Sequence, residues 1–474
     1  MPSAEKNTHV VIIGAGPAGY PAAFHAADLG LNVTLIDPEA APGGVCLYRG
    51  CIPSKALLHI AAFLNEAKTL ADHGITVEGI KIDLDKLRNF KDSVITKLTG
   101  GLGQLTKQRK IKLVQGTAQF VDAHNVTVTG PDGNTENVTF DYAVIATGSV
   151  PTKISAWPES SCIMDSTGAL ALEDIPESML VVGGGYIGLE LGQVYAALGS
   201  EVSVVEMMPQ LVPGADKDLL KVLAQRLKTQ FSKIMLETRV AQMEDTGSGV
   251  KVSFEAKDGS VAEQTYSKVL VAIGRRPTTA GLGLENTQVK VNDQGFIKID
   301  TQARTSESNI FAIGDVAGQP MLAHKATAEA KVAVEVIAGH KSVFEPKAIP
   351  AVMFTDPEIA WCGLTEGEAK AQSRDIVVTT FPWAASGRAT SLGRSDGVTK
   401  LIMEPDTHRI LGMGIAGSGA GELIAEGILA VEMAAVAEDL ALTIHPHPTL
   451  SETIMEAAEA ADGQSIHAYR PKRK

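Results

Sequence analysis

His9-Val10-Val11-Ile12-Ile13-Gly14-Ala15-Gly16-Pro17-Ala18-Gly19 stands near the start of this chain, and Asp37 follows Gly19 by 18 positions. The β-branched run His9 to Ile13 reads as a strand, and a helical stretch runs from the glycine turn to Leu29. Asn32 to Ile36 reads as a second strand closing on Asp37. In a complete strand–turn–helix–strand unit each part has a task. The glycines admit a pyrophosphate to the backbone, the helix end favours its charge, and the acid accepts from ribose hydroxyls. Pro21 conflicts with this pattern, because a proline inside a helix removes a hydrogen bond.

The unit recurs. Ser178 to Val182 is a strand, Gly183-Gly184-Gly185-Tyr186-Ile187-Gly188 the turn, Leu189 to Leu198 the helix and Glu201 to Val205 the next strand. From Gly188 to the closing acid Glu206 is again 18 positions. Strands ending Ile145-Ala146-Thr147-Gly148 and Ile273-Gly274 echo each other as well. A duplication of this kind implies two nucleotide sites. At the second, Glu206 would bond a 2′-hydroxyl and repel a 2′-phosphate, which selects NAD over NADP.

Between the two units lies Gly43-Gly-Val-Cys46-Leu-Tyr48-Arg49-Gly-Cys51-Ile-Pro53-Ser-Lys55, two cysteines across a glycine-bearing turn. Pro53 opens a helix with Ala56, Leu57, Ile60, Ala61 and Leu64 on one face. A thiol at a helix N-terminus is biased toward thiolate, and two in one loop can close and reopen a disulfide. A structural crosslink, or two unrelated buried cysteines, is the alternative. Asp83 to Arg109 reads as a long helix, Ile111 to Phe140 as a small antiparallel excursion, and Asp141 to Ile145 as a returning buried strand. Ile310 to Asp315 is a strand ending in Gly-Asp, before a helix at Ala326 to Ala338. Asp315 there is either a ligand for a sugar or ribitol hydroxyl or a helix cap.

With 474 residues the chain has room for about three domains, and its 45% hydrophobic and 20% charged residues describe an ordinary globular protein. A net charge of −13 argues against nucleic acid or anionic membrane as partner, and Arg470 to Lys474 reads as a solvated basic tail. No apolar run reaches spanning length, and no signal or transit pattern precedes the first strand, so the expected location is cytoplasmic. Four cysteines are too few for a secreted scaffold, and none has a zinc-ligand pattern around it, so no metal is expected. From about Lys347 short strands (Val377 to Phe381, Thr399 to Met403, Arg409 to Ile415) alternate with helices (Glu366 to Gln372, Gly421 to Ala434). Such an α+β layer suits a dimer interface. Near its end, His445-Pro-His447-Pro-Thr449-Leu-Ser-Glu452 carries two readings. Thr449 and Glu452 form a capping box, or His447 is a general base oriented by Glu452.

Taken together, these motifs from His9 to Glu452 resemble the flavin-dependent pyridine nucleotide–disulfide oxidoreductases. The resemblance implies an α/β chain with two Rossmann-like dinucleotide domains and a C-terminal α+β dimerisation domain. Its expected divisions are 1–150 (FAD), 151–276 (NAD), 277–346 (FAD and central) and 347–474 (interface). It assigns Gly14, Gly16, Gly19, Asp37, Lys55, Gly116, Thr147, Gly148, Asp315 and Ala323 to FAD. Gly183, Gly185, Tyr186, Gly188, Glu190, Glu206 and Gly274 go to NAD. Lys55 and Glu190 would pair beside the flavin's reactive nitrogen, and Tyr186 would cover the flavin. Cys46 would be the interchange thiol, Cys51 the flavin-facing one, and His447 with Glu452 would serve the other subunit of a homodimer. The motifs are most similar to members that oxidise dihydrolipoyl groups for 2-oxo acid dehydrogenase complexes. The substrate would then be the lipoyl domain of another chain. An NADPH-dependent reductase of small disulfides, similar to glutathione reductase, is the alternative, as is a flavin-binding subunit without turnover. Tyr48-Arg49 departs from the family's Asn-Val, and Asp37 from its more frequent Glu.

Overall fold

A computed structural model describes residues 8–468, so the basic tail from Arg470 lies outside the described residues. The chain opens with β1 (His9–Ile13), α1 (Gly19–Asp28), β2 (Asn32–Asp37), α2 (Gly44–Arg49), α3 (Cys51–Thr69), α4 (Leu84–Gln108) and β3 (Lys112–Gln115). An antiparallel meander follows, β4 (Thr117–Asp122), β5 (Asn125–Thr129) and β6 (Thr135–Thr139), and then β7 (Tyr142–Ile145). The second unit comprises β8 (Ser149–Pro151), β9 (Ile163–Met164), α5 (Ser166–Ala171), β10 (Ser178–Val182), α6 (Tyr186–Leu198), β11 (Glu201–Val205), α7 (Lys217–Gln230) and β12 (Lys233–Met235). Its own meander is β13 (Thr238–Asp245), β14 (Val250–Ala256) and β15 (Val261–Tyr266), before β16 (Lys268–Val271) and β17 (Arg275–Pro277). β18 (Ile310–Ala312) and α8 (Ala323–Ile337) return to the first unit.

Two parallel sheets result, in the orders β18-β7-β1-β2-β3 and β12-β11-β10-β16-β9. Their central strands are continuous apolar runs because helices or meanders cover both faces. Val10, Val11 and Ile12 are fully buried, as are Met179, Leu180 and Val181. On one face of the first sheet, small residues let α1 and α8 approach closely, Ala22, Ala23 and Ala26 sharing a core with Ala326, Ala330 and Ala333. The apolar stripe of α3, Leu57, Ala61 and Leu64, packs in one core with Leu191, Val194 and Leu198 of α6. One helix of the first unit is thereby anchored on the second.

The remaining chain is β19 (Ala351–Met353), β20 (Glu358–Gly363), α9 (Glu366–Ala371), β21 (Val377–Pro382), α10 (Gly387–Ser391), β22 (Val398–Met403), β23 (Ile410–Gly417), α11 (Ala420–Glu432), α12 (Ala437–Leu442) and α13 (Glu452–Glu459). Its sheet is antiparallel, in the order β19-β20-β23-β22-β21.

Three local expectations change. Pro21 is the third residue of α1, in the first turn, where helical N–H groups have few intrahelical partners. The carbonyl it would leave unpaired, that of Pro17, accepts from the Thr327 hydroxyl of α8 at 2.9 Å. Cys46 lies on the short helix α2 rather than in an open turn, and α3 begins at Cys51 itself, two residues before Pro53. The expected capping box at Thr449 is half formed: the Thr449 N–H donates to Glu452 Oε2 at 2.8 Å, but the Thr449 hydroxyl donates to the Pro446 carbonyl.

Candidate active site

The two glycine turns are superposable in their bonding. Gly14 N–H donates to the Ile36 carbonyl at 2.8 Å, and Gly183 N–H to that of Val205 at 2.9 Å. Gly14 holds φ +100° and Gly183 φ +107°, a region that side chains avoid. A Cβ on Gly19 would fall on the Gly14 carbonyl, and one on Gly188 on the Gly183 carbonyl. The closing acids are also equivalent. Asp37 Oδ2 accepts from Ala15 N–H at 2.5 Å and Oδ1 from Glu39 N–H at 2.9 Å. Glu206 Oε2 accepts from Gly184 N–H at 2.7 Å and Oε1 from Met208 N–H at 2.8 Å. Each carboxylate therefore shapes its turn, a task the sequence did not disclose, and keeps one further lone pair per oxygen for a ligand.

A cavity of about 610 Å³ runs from the first glycine turn to the cysteines. Gly14, Gly16, Asp37, Gly116, Thr147, Gly148, Asp315 and Ala323 line it, as do Cys46, Cys51 and Lys55; Gly19 lies beneath the turn. Tyr186 and Glu190 come from the second unit but open into this same cavity, whereas Gly183, Gly185, Gly188, Glu206 and Gly274 do not line it.

Cys46 and Cys51 are both thiols here. The Cys46 S–H bonded to the Cys51 sulfur holds the Cys51 thiol down to about 7 against burial, with help from the Lys55 ammonium. The same bond, and burial, push Cys46 up. Position matters too, because Cys51 is the first residue of a 19-residue helix and faces its positive end. Lys55, one turn on, bonds Glu190 Oε2 at 2.7 Å and lies 4.5 Å from the centre of the Phe354 ring. Glu190 Oε1 accepts from Phe354 N–H at 3.0 Å, so this one carboxylate joins all three parts of the chain. At the other wall, Ser149 Oγ donates to Asp315 Oδ2 at 2.5 Å and accepts from Arg275 Nε at 2.8 Å. Ser149, Arg275 and Phe354 escaped sequence reading, since their partners lie more than 120 positions away.

His447 and Glu452 do not line the cavity. They do meet each other, His447 Nδ1 lying 2.8 Å from Glu452 Oε1, with the His447 side chain 78% exposed. Burial works against the Glu452 carboxylate, but the Thr449 N–H and His447 bring its carboxyl below the usual range. The two readings of this motif thus coexist, one oxygen orienting the imidazole and the other bonding the backbone. Asp216, Asp218 and Glu366 are close enough together to hold a cation, but the Lys400 ammonium already sits 2.7 Å from each.

A cavity joining a pyrophosphate-binding turn to a cysteine pair fits a flavin dinucleotide, and beside it the backbones of Gly16 and Gly44 come so close that any side chain at Gly44 would fall on Gly16. Comparison with known proteins agrees. Residues 8–330 match the family model for pyridine nucleotide-disulphide oxidoreductases, and residues 349–458 match that family's dimerisation domain. The chain is 50% identical over 462 residues to the dihydrolipoyl dehydrogenase of Vibrio cholerae, covering 97% of each. It is 50% identical to the Haemophilus influenzae enzyme of that name over 100% of this chain and 98% of the other. A crystal structure of LpdA from Mycobacterium tuberculosis superposes with a TM-score of 0.89 at 28% identity, over 96% of this chain and 99% of that one. The flavoprotein disulfide reductase RclA of Escherichia coli gives a TM-score of 0.85 at 28% identity, over 95% and 99%.

Proposed function

The chain belongs to the pyridine nucleotide–disulfide oxidoreductases, and on that premise we propose that it oxidises protein-bound dihydrolipoyl groups to the lipoyl disulfide, using FAD and NAD+. The observation that carries this reading is the Cys46–Cys51 pair opening into the cavity between the glycine turn and the Lys55–Glu190 pair. In the oxidised enzyme the pair is a disulfide. His447, its imidazole held by Glu452, takes a proton from one dihydrolipoyl thiol, and the resulting thiolate attacks Cys46. The Cys46–Cys51 bond breaks and Cys51 leaves as thiolate, the form its helix terminus and Lys55 favour. The second dihydrolipoyl sulfur then attacks the lipoyl sulfur of the mixed disulfide and displaces Cys46, its own proton passing to the departing Cys46. Two electrons have passed to the cysteine pair, and one cyclic disulfide is released. Bound FAD supplies the link by which those electrons reach NAD+ as hydride. Glu190 keeps Lys55 beside the cavity, and Asp315, fixed through Ser149 by Arg275, presents a carboxylate at its wall.

Because His447 stands outside its own chain's cavity, the base comes from the second subunit of a homodimer. The lipoyl arm is brought by another protein, a component of a 2-oxo acid dehydrogenase complex. Purified protein should be yellow and reduce NAD+ with dihydrolipoamide; reduction of glutathione disulfide by NADPH in preference would overturn the reading. The role of Glu206 follows from its oxygens at the second turn. Glu206→Ala should raise the KM for NAD+ by about tenfold or more, the worth of one or two bonds to a charged group; an unchanged KM would remove Glu206 from the nucleotide site.

A further inference from the structure

Arg49, one of the two departures in the cysteine loop, lines the cavity on the side of the closing acid of β2. It closes α2 and pairs with the Glu39 carboxylate, its guanidinium 5.9 Å from the centre of the Tyr48 ring, while the Tyr48 hydroxyl donates to the Ala41 carbonyl at 3.0 Å. The Glu39 N–H in turn donates to Asp37. Burial raises the Asp37 carboxyl, and the Ala15 N–H together with the Arg49 charge opposes that rise. All three residues, Asp37, Glu39 and Arg49, line the main cavity.

The charges in that cavity are unevenly placed. Among the described residues three cations line it, Arg49, Lys55 and Arg275. Lys55 is engaged by Glu190 and Arg275 by Ser149, away from the closing acid of β2. Arg49 is the one that stands with Asp37 and Glu39. A diphosphate diester at the adjoining glycine turn brings two more negative charges to a region that already holds two carboxylates. The N-terminus of α1 answers part of this, as a partial charge only. The guanidinium is the one full positive charge that lines the cavity beside those two carboxylates, and a phosphate there would compete with Glu39 for it.

We propose that Arg49 is an affinity-determining residue for the diphosphate of the bound dinucleotide, with Glu39 competing for its charge. The inference rests on the flavin reading above and goes beyond it in assigning this pair. The full-length chain, stripped of flavin, is titrated with FAD by fluorescence quenching. Arg49→Val should weaken FAD binding about tenfold, the worth of a charge-assisted contact, and Arg49→Lys should recover part of the loss. Glu39→Gln should bind FAD several-fold more tightly, because it frees the guanidinium. Affinity of the wild type should fall with added salt more steeply than that of Arg49→Val. A staple that merely braces α2 predicts weaker binding in both variants, so a loss in Glu39→Gln overturns the proposal. So does Arg49→Val binding FAD like the wild type. A wild-type chain that binds no FAD would instead remove the flavin reading itself.

Discussion

At the scale of single residues, the cysteines are made unequal by where the helices begin. Cys51 has a helix N-terminus, an ammonium and a neighbouring S–H to stabilise its thiolate, while Cys46 spends its proton on that thiolate. In the reduced, flavin-free protein, alkylation of Cys51 by iodoacetamide should therefore rise through pH 7 and be suppressed as pH falls below about 7, where the thiolate protonates. Alkylation of Cys46 should lag behind it near neutral pH. Lys55→Met should move the Cys51 midpoint upward, since it removes a positive charge and leaves Glu190 facing the sulfur. Mass-spectrometric mapping of the modified thiol checks each statement, and equal rates at the two cysteines would contradict them. The residues proposed to react stood out in the sequence because their chemistry is local. Ser149, Arg275 and the Phe354 N–H did not, because each acts on a partner that only the tertiary fold brings near.

The elements that bear the nucleotide sites were legible nearly to the residue. The glycine turn forces strand, turn and helix into one register, and the 18-position repeat shows the same unit twice. Pro21 looked like a contradiction only because its helix begins late and the carbonyl of Pro17, which it leaves without a partner, finds Thr327, 310 positions from Pro17. In the C-terminal layer β19 and β20 passed unrecognised; one is three residues long, and turn residues separate the other from it. The contacts between layers were equally invisible. Lys400 of β22 is fully buried and bonds Asp216 and Asp218 at the start of α7 as well as Glu366 of α9. A second set of charges crosses between the same parts of the chain, Asp356 receiving Arg226 of α7 and Arg394. Asp216 is largely buried with the ammonium, whereas the Asp218 and Glu366 side chains are 40% and 47% exposed, so solvent answers two of the three carboxylates when the ammonium is removed. Lys400→Met should cost about 1–2 kcal/mol in urea unfolding. It should act by loosening the second nucleotide unit from the C-terminal layer. Loss of less than about 0.5 kcal/mol would show that solvent, not Lys400, balances those carboxylates.

Over the whole molecule, the cysteine cavity and the proposed base of one chain stand apart. The cavity holds the cysteines, the lysine–glutamate pair and the glycine turn, while His447 stands exposed on the C-terminal layer. Large apolar side chains are exposed on that layer too, among them Leu429, Met433, Leu442 and Ile444, and Phe63 is exposed on α3, the helix that starts at Cys51. So much bare apolar surface on a layer matched by a dimerisation domain is the mark of a covered interface. His447→Gln alone should lower turnover by about 10²–10⁴-fold, the usual worth of a positioned base. The decisive measurement co-expresses Cys46→Ser chains with His447→Gln chains, isolates the mixed dimer and assays it with dihydrolipoamide and NAD+. If Cys46 of one chain works with the partner's His447, one site of the mixed dimer collects both lesions and the other none. The mixed dimer should then regain about half of the wild-type activity from two nearly inactive parents, as two-fold symmetry requires. A mixed dimer with full flavin content and no more activity than its parents would contradict the shared site.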